Sequence, residues 1–202
     1  ADNSTILVTN ISTSQVTSLY GVEKLQFSTL DRVHDIFLTD GSFGVNTSTT
    51  GSQKAPSIAT FSDGGYVVVW DGSGTGDSYG IFAQRYNYVG NKVGDEFKVN
   101  EDNSYSEYSP SVTTLSDGGY IISWSSSWAS GYGPIVYQMY SQDGTPNGAN
   151  NSAESFSQEV SRNSKFIELS NGEFVLASST NSDIYHGRYD SAGVSLGDRE
   201  KL

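Results

Sequence analysis

The chain has no cysteine, so disulfides and thiol chemistry are absent from any account of it. It has only two histidines, too few to build the usual zinc sites without cysteine. Lysine and arginine together number 11 in 202 residues, against 23 aspartates and glutamates, for a net charge of −12. That balance argues against nucleic acid as a partner, because phosphate backbones demand clustered cations. It argues equally against anionic membrane surfaces. No apolar run approaches the length of a membrane span, so no membrane insertion is expected. No window repeats apolar residues at i, i+3, i+4 and i+7 for long enough to make a helix. No signal peptide is visible, and the start at Ala1 reads as a piece cut from something larger.

What is present is a repeat. Asp63-Gly64-Gly65-Tyr66-Val67-Val68-Val69-Trp70 returns as Asp117-Gly118-Gly119-Tyr120-Ile121-Ile122-Ser123-Trp124 and, worn down, as Asn171-Gly172-Glu173-Phe174-Val175-Leu176-Ala177-Ser178. Counted from positions 63, 117 and 171, the period is 54 residues. A fixed long period means one supersecondary unit used several times. Each unit reads as four short strands, here a (56–61), b (65–70), c (80–87) and d (95–100) in the first copy. The strands are rich in Val, Ile, Tyr, Phe and Thr, and Asp-Gly or Gly-Gly turns supply the positive φ of tight hairpins. The reading is an all-β protein of repeated four-stranded antiparallel meanders. A propeller-like stack is favoured, with a β-sandwich as the alternative. Residues 41–202 hold the three repeats. Residues 1–40 contain further strand candidates, readable as a degenerate repeat or as a flanking segment, and the whole is expected to form one compact unit. Trp70 and Trp124 share one strand-b position and are expected in the core.

In a meander, successive turns alternate between the two ends of the sheet. The a–b and c–d turns share one end; the b–c and d–a connections share the other. Acids and aromatics concentrate at the second end. Asp71 and Asp77, with intervening Gly, Ser and Thr, suit an oxygen-rich calcium loop, although the closing glutamate of an EF-hand is missing. Glu101, Asp102 and Glu107 form a second candidate metal set. Tyr79, Asn103, Tyr105, Tyr108, Trp128 and Tyr132 are candidate ligand contacts, since loop aromatics stack on sugars or grip peptide side chains. No nucleophile motif surrounds His34 or His186. Paired carboxylates for glycoside hydrolysis stay open, because many acids are present.

Gly21-Val22-Glu23-Lys24-Leu25-Gln26-Phe27-Ser28 resembles a strand common in bacterial repeats-in-toxin (RTX) proteins, and the 54-residue unit is similar to repeats of very large RTX surface adhesins. The glycine- and aspartate-rich nonapeptides of the RTX calcium roll are absent. The resemblance implies a secreted or cell-surface module, monomeric within a larger chain, in calcium-rich surroundings. The expectation drawn from it is a non-enzymatic, calcium-dependent recognition module. Its partner would be a peptide or protein terminus on another cell, or alternatively a glycan bound as a lectin binds it. A structural spacer and a glycoside hydrolase are the remaining alternatives.

Overall fold

The structure, a computed structural model, describes residues 6–10, 15–19, 24–26, 35–37, 44–127, 133–154, 162–197 and 200–201. The chain divides into two compact units, Ala1–Phe43 and Gly44–Leu202. In the first, β1 (Ile6–Asn10) pairs with β2 (Gln15–Leu19), and β3 (Lys24–Gln26) pairs with β4 (Asp35–Phe37), both antiparallel.

The second unit holds three antiparallel sheets, each of four strands in chain order. The first blade is β5 (Gln53–Thr60), β6 (Tyr66–Gly74), β7 (Asp77–Tyr86) and β8 (Lys92–Lys98). The second is β9 (Ser106–Thr114), β10 (Tyr120–Ser127), β11 (Ile135–Tyr140) and β12 (Asn151–Glu154). The third is β13 (Arg162–Glu168), β14 (Phe174–Ser179), β15 (Ile184–Tyr189) and β16 (Glu200–Lys201).

The blades stack face to face. One core cluster joins Val67, Val69, Ile81 and Ala83 of the first blade to Val112, Tyr120, Ile122, Trp124 and Tyr140 of the second. The next joins Ile121, Ile135 and Tyr137 of the second to Phe166, Phe174, Leu176 and Tyr189 of the third. The unbroken apolar run of β10 follows from this position: alternate residues serve opposite faces, and both faces are buried. A two-layer sandwich leaves every sheet one free face. The middle sheet has none, so the stack is propeller-like. The first strands lie side by side, with Val112 N donating to Ser57 Oγ at 3.3 Å and Thr113 Oγ1 to the Phe166 carbonyl at 2.7 Å. At the tight-turn end the Arg85 guanidinium donates to the carbonyls of Gln142 and Asp143, clamping the first blade to the second.

The repeated Gly-Gly has two separate causes. The first glycine takes a left-handed φ, +85° at Gly64 and +88° at Gly118. The second sits against the backbone of strand c: a Cβ on Gly119 would lie 2.6 Å from the Tyr140 carbonyl oxygen. We expect Gly119→Ala to destabilise the fold by about 1–3 kcal/mol, read from urea denaturation, because two paired strands must part to admit the methyl.

Two boundaries differ from the sequence reading. The Asp71–Tyr79 stretch is no loop. β6 and β7 continue through it, Gly72 pairs with Gly80, and the chain turns over Thr75-Gly76. Gly, Ser and Asp disfavour strands, but cross-strand pairing overrides that preference. Likewise Glu107 and Tyr108 lie in β9.

Every first strand also bulges, with register breaks at Lys54/Ser57, opposite Ser109, and at Arg162/Lys165. Each bulge holds a non-glycine residue in left-handed conformation: Ala55 (φ 47°), Ser109 (φ 55°) and Asn163 (φ 49°), one per repeat at the same position. Bulges re-aim side chains, and strained backbone gathers at functional sites.

Candidate active site

The bulge of β9 lies beside a cavity of about 310 Å³ at the end of the unit that carries the b–c and d–a connections. Its walls come from the loop between blades (Asn100, Glu101, Asp102, Tyr105), from Glu107, from Trp124 and Ser126 on β10, and from Pro134, Val136, Asn150 and Ser152. Of the residues expected at a site, Glu101, Asp102, Tyr105 and Glu107 are thus brought together.

Glu107 is the centre of the arrangement. It is only 5% exposed. The Ser126 hydroxyl donates to Oε1 at 3.1 Å, while Oε2 is buried with no hydrogen-bond partner. Burial pushes its pKa up to about 7, with Asp77 and Asp102 adding to the rise. Ser126 pulls the other way, and so does the Trp124 indole. The indole Nε1–H nevertheless falls short of hydrogen-bond geometry and is itself buried without a partner. Asp102 is the opposite case. Its Oδ1 accepts the Ser104 backbone N–H at 2.7 Å, and this bond chiefly holds the carboxyl below the usual carboxylate range. One cavity therefore presents an acid that keeps its proton near neutrality and a carboxylate that stays ionised. Environments that push two carboxyl groups apart in this way assign them acid and base roles.

The other expected site residues fall elsewhere. Asp71 and Asp77 do not share a cavity with Glu107. Asp71 Oδ2 accepts the Ser109 N–H at 2.9 Å. Asp77 accepts the Tyr79 N–H at 2.9 Å and the Asn100 side-chain amide at 2.8 Å. These contacts tie the pair to the neighbouring chain segments. Among the described residues, no group of three or more His, Cys, Asp or Glu side chains is gathered to hold a metal. Asn103 bridges the loop to the β6–β7 turn, donating to the Gly76 carbonyl at 3.0 Å and accepting from Lys98. Tyr79 is 66% exposed on β7, and Tyr108 is half-buried on β9 opposite Ser125. Trp128 and Tyr132 lie outside the described residues.

Sequence reasoning missed Asn100, Ser126, Pro134, Val136, Asn150 and Ser152, and gave Trp124 to the core alone. Trp124 serves both: it is 1% exposed in the inter-blade cluster, and it lines the cavity. One signal was available. Ser123–Ser127 places several hydroxyls in an otherwise apolar buried strand, and buried hydroxyls require partners.

No protein-family model matches the chain, nor does any curated protein. Solved structures do. An endo-arabinase from Bacteroides thetaiotaomicron aligns with TM-score 0.58 and 15% identity, over 99% of this chain and 80% of that one. A GH43_1 enzyme from Xanthomonas citri complexed with xylose aligns with TM-score 0.53 and 11% identity, over 77% of this chain and 56% of that one. A GH43 β-xylosidase/α-arabinofuranosidase from a compost microbial metagenome gives TM-score 0.51 and 12% identity, over 77% and 60%.

The fold is that of the family-43 glycoside hydrolases. These are five-bladed propellers, and the chain spans a little over half the length of most of them. The expectation of a non-enzymatic adhesin module gripping a peptide terminus is corrected here. The neighbours are glycoside hydrolases and not adhesins, and they favour the hydrolase alternative over both the adhesin and the lectin.

Proposed function

We propose that this chain is the acid-bearing part of a glycoside hydrolase, with Glu107 as general acid and Asp102 as its ionised partner. The observation that carries the reading is the opposed ionisation of two carboxyls lining one cavity at the connection-bearing end of a propeller-like stack. The neighbouring enzymes' chemistry supports it.

In this reading a sugar ring enters against Pro134 and Val136, and the leaving oxygen meets Glu107 Oε2, among the described residues the one buried carboxyl oxygen without a hydrogen-bond partner. The protonated Oε2 donates its proton as the glycosidic bond breaks. Burial then makes the resulting carboxylate costly, and the Ser126 hydroxyl is placed to receive it. Asp102, ionised throughout, either attacks the anomeric carbon or activates the water that does. The RTX-like repeats support an extracellular setting, where the substrate would be a polysaccharide outside the cell.

The test is reducing-sugar release from arabinan, xylan and β-1,3-galactan by the parent and by Glu107→Gln. Release by the parent that is lost in the variant supports the reading. Equal release, or none by either on a broad polysaccharide panel, overturns it. The anomer of the first product, read by NMR, tells whether Asp102 attacks directly or through water.

A further inference from the structure

Asp71 and Asp77 bracket the turn of the β6–β7 hairpin, and neither lines the cavity. Both nonetheless end on the strand or loop that carries a cavity carboxyl. We propose that they are positioning residues, supplied by the first blade, which hold Glu107 and Asp102 in their working arrangement. The inference rests on the hydrolase reading for its purpose, but not for its geometry.

Asp71 governs Glu107. Its Oδ2 accepts the N–H of Ser109 at 2.9 Å across the blade boundary. Ser109 is the left-handed residue of the β9 bulge, two positions beyond Glu107. A left-handed non-glycine residue is strained, and a bond from the neighbouring blade fixes where it sits. The repeat shows that this tether is particular to the site. At the next blade boundary the position of Asp71 is taken by Ser125, whose Oγ is buried without a partner. The fold thus tolerates the bulge without the bond. An acid stands at this position where the bulge carries Glu107.

Asp77 governs Asp102 through Asn100. Asp77 Oδ2 accepts from Asn100 Nδ2 at 2.8 Å; the same amide nitrogen donates to the Asp102 carbonyl at 2.7 Å; and Asn100 Oδ1 accepts the Ile81 N–H at 2.8 Å. Asn100 is 3% exposed, so these bonds are shielded from water. Asn103 adds the third pin, on the Gly76 carbonyl. The hairpin therefore acts as a jig for the inter-blade loop. Asp77 and Asp102 are the charged groups acting on Glu107, with Ser126 and Trp124 its polar neighbours, and Lys98 lies 4.0 Å from Asp77.

The experiment is a carbon-detected NMR titration of the Glu107 and Asp102 carboxyls without substrate, with thermal melts, on the parent and on Asp71→Ala, Asp71→Asn and Asp77→Ala. In Asp71→Ala the Glu107 midpoint is expected to fall by about one pH unit as the bulge relaxes and water reaches the carboxyl. Asp71→Asn keeps an oxygen for the Ser109 N–H and is expected to restore the parent midpoint. Asp77→Ala is expected to lower the Glu107 midpoint, by loss of a nearby negative charge, and to raise that of Asp102 as its loop is released.

Asp71→Ala with the parent's Glu107 midpoint, or Asp71→Asn behaving like Asp71→Ala, overturns the role of Asp71. Should Asp71→Ala not fold, the Asp77→Ala titration decides, and unmoved midpoints there overturn the proposal. Hydrolysis by the parent with unmoved midpoints sinks this inference alone. Moved midpoints in a chain that cleaves no glycan sink the hydrolase reading and leave the positioning intact.

Discussion

Glu107→Gln is expected to lose roughly 10²–10⁴-fold in glycan hydrolysis, the usual contribution of a positioned general acid, and to gain stability at neutral pH. The two effects have one cause. In the folded chain the Glu107 carboxyl keeps its proton until about pH 7, whereas its ordinary value is 4.5. Between those values the unfolded chain binds fewer protons than the folded one, so stability falls as pH rises through the window. The stabilising contribution of the protonated form is complete below about pH 4.5 and gone above about pH 7. Its size is on the order of 3 kcal/mol for a carboxyl this well buried. Glutamine keeps the shape and an acceptor for Ser126 but does not titrate. Melting curves from pH 4 to pH 8 should therefore slope downward for the parent and lose that component in the variant. A difference between parent and variant that is flat or rises with pH across the same window would show that Glu107 is ionised there, and the acid role would go with it.

Trp124→Ala is expected to cost about 3–5 kcal/mol, the range for truncating a buried aromatic. The side chain is 1% exposed and packs between the first two blades with Val67, Val69, Tyr120 and Ile122. For a chain of this length the melting temperature should drop by roughly 10 °C. Tyr79→Ala is the control. At 66% exposure Tyr79 is expected to change stability by no more than about 0.5 kcal/mol. A Trp124→Ala melt close to that of Tyr79→Ala would mean that the blades are not joined where the structure joins them.

The repeat made the architecture readable, because four-stranded units with tight Asp-Gly-Gly turns have few ways to bury their faces. Strand b of the second repeat, Tyr120-Ile121-Ile122-Ser123-Trp124, already has the composition of a strand covered on both sides. Trp70 and Trp124 were placed in the core from their shared position, and both are buried, at 4% and 1% exposure. Strand alternation sends the segment of Glu101, Asp102 and Glu107, read as a candidate metal set, and of Tyr105, read as a ligand contact, to one end, and these four line one cavity. These features are local or periodic, and the sequence by itself determined them.

The chemistry of the acids was decided only by tertiary structure. In sequence Asp71, Asp77, Glu101, Asp102 and Glu107 are five similar carboxyls, all suited to calcium. Folding separates them by environment. Asp71 meets the Ser109 N–H of β9, and Asp77 meets the Tyr79 N–H of its own hairpin and the Asn100 amide of the inter-blade loop. Asp102 meets the Ser104 N–H and stays charged. Glu107 is buried on β9, and that burial pushes its pKa up to about 7. A carboxyl's pKa depends on desolvation and on the donors and charges within a few ångströms of it. At Glu107 those partners arrive from residues 77, 102, 124 and 126, spread over two strands and a loop, and no spacing rule along the chain records that convergence.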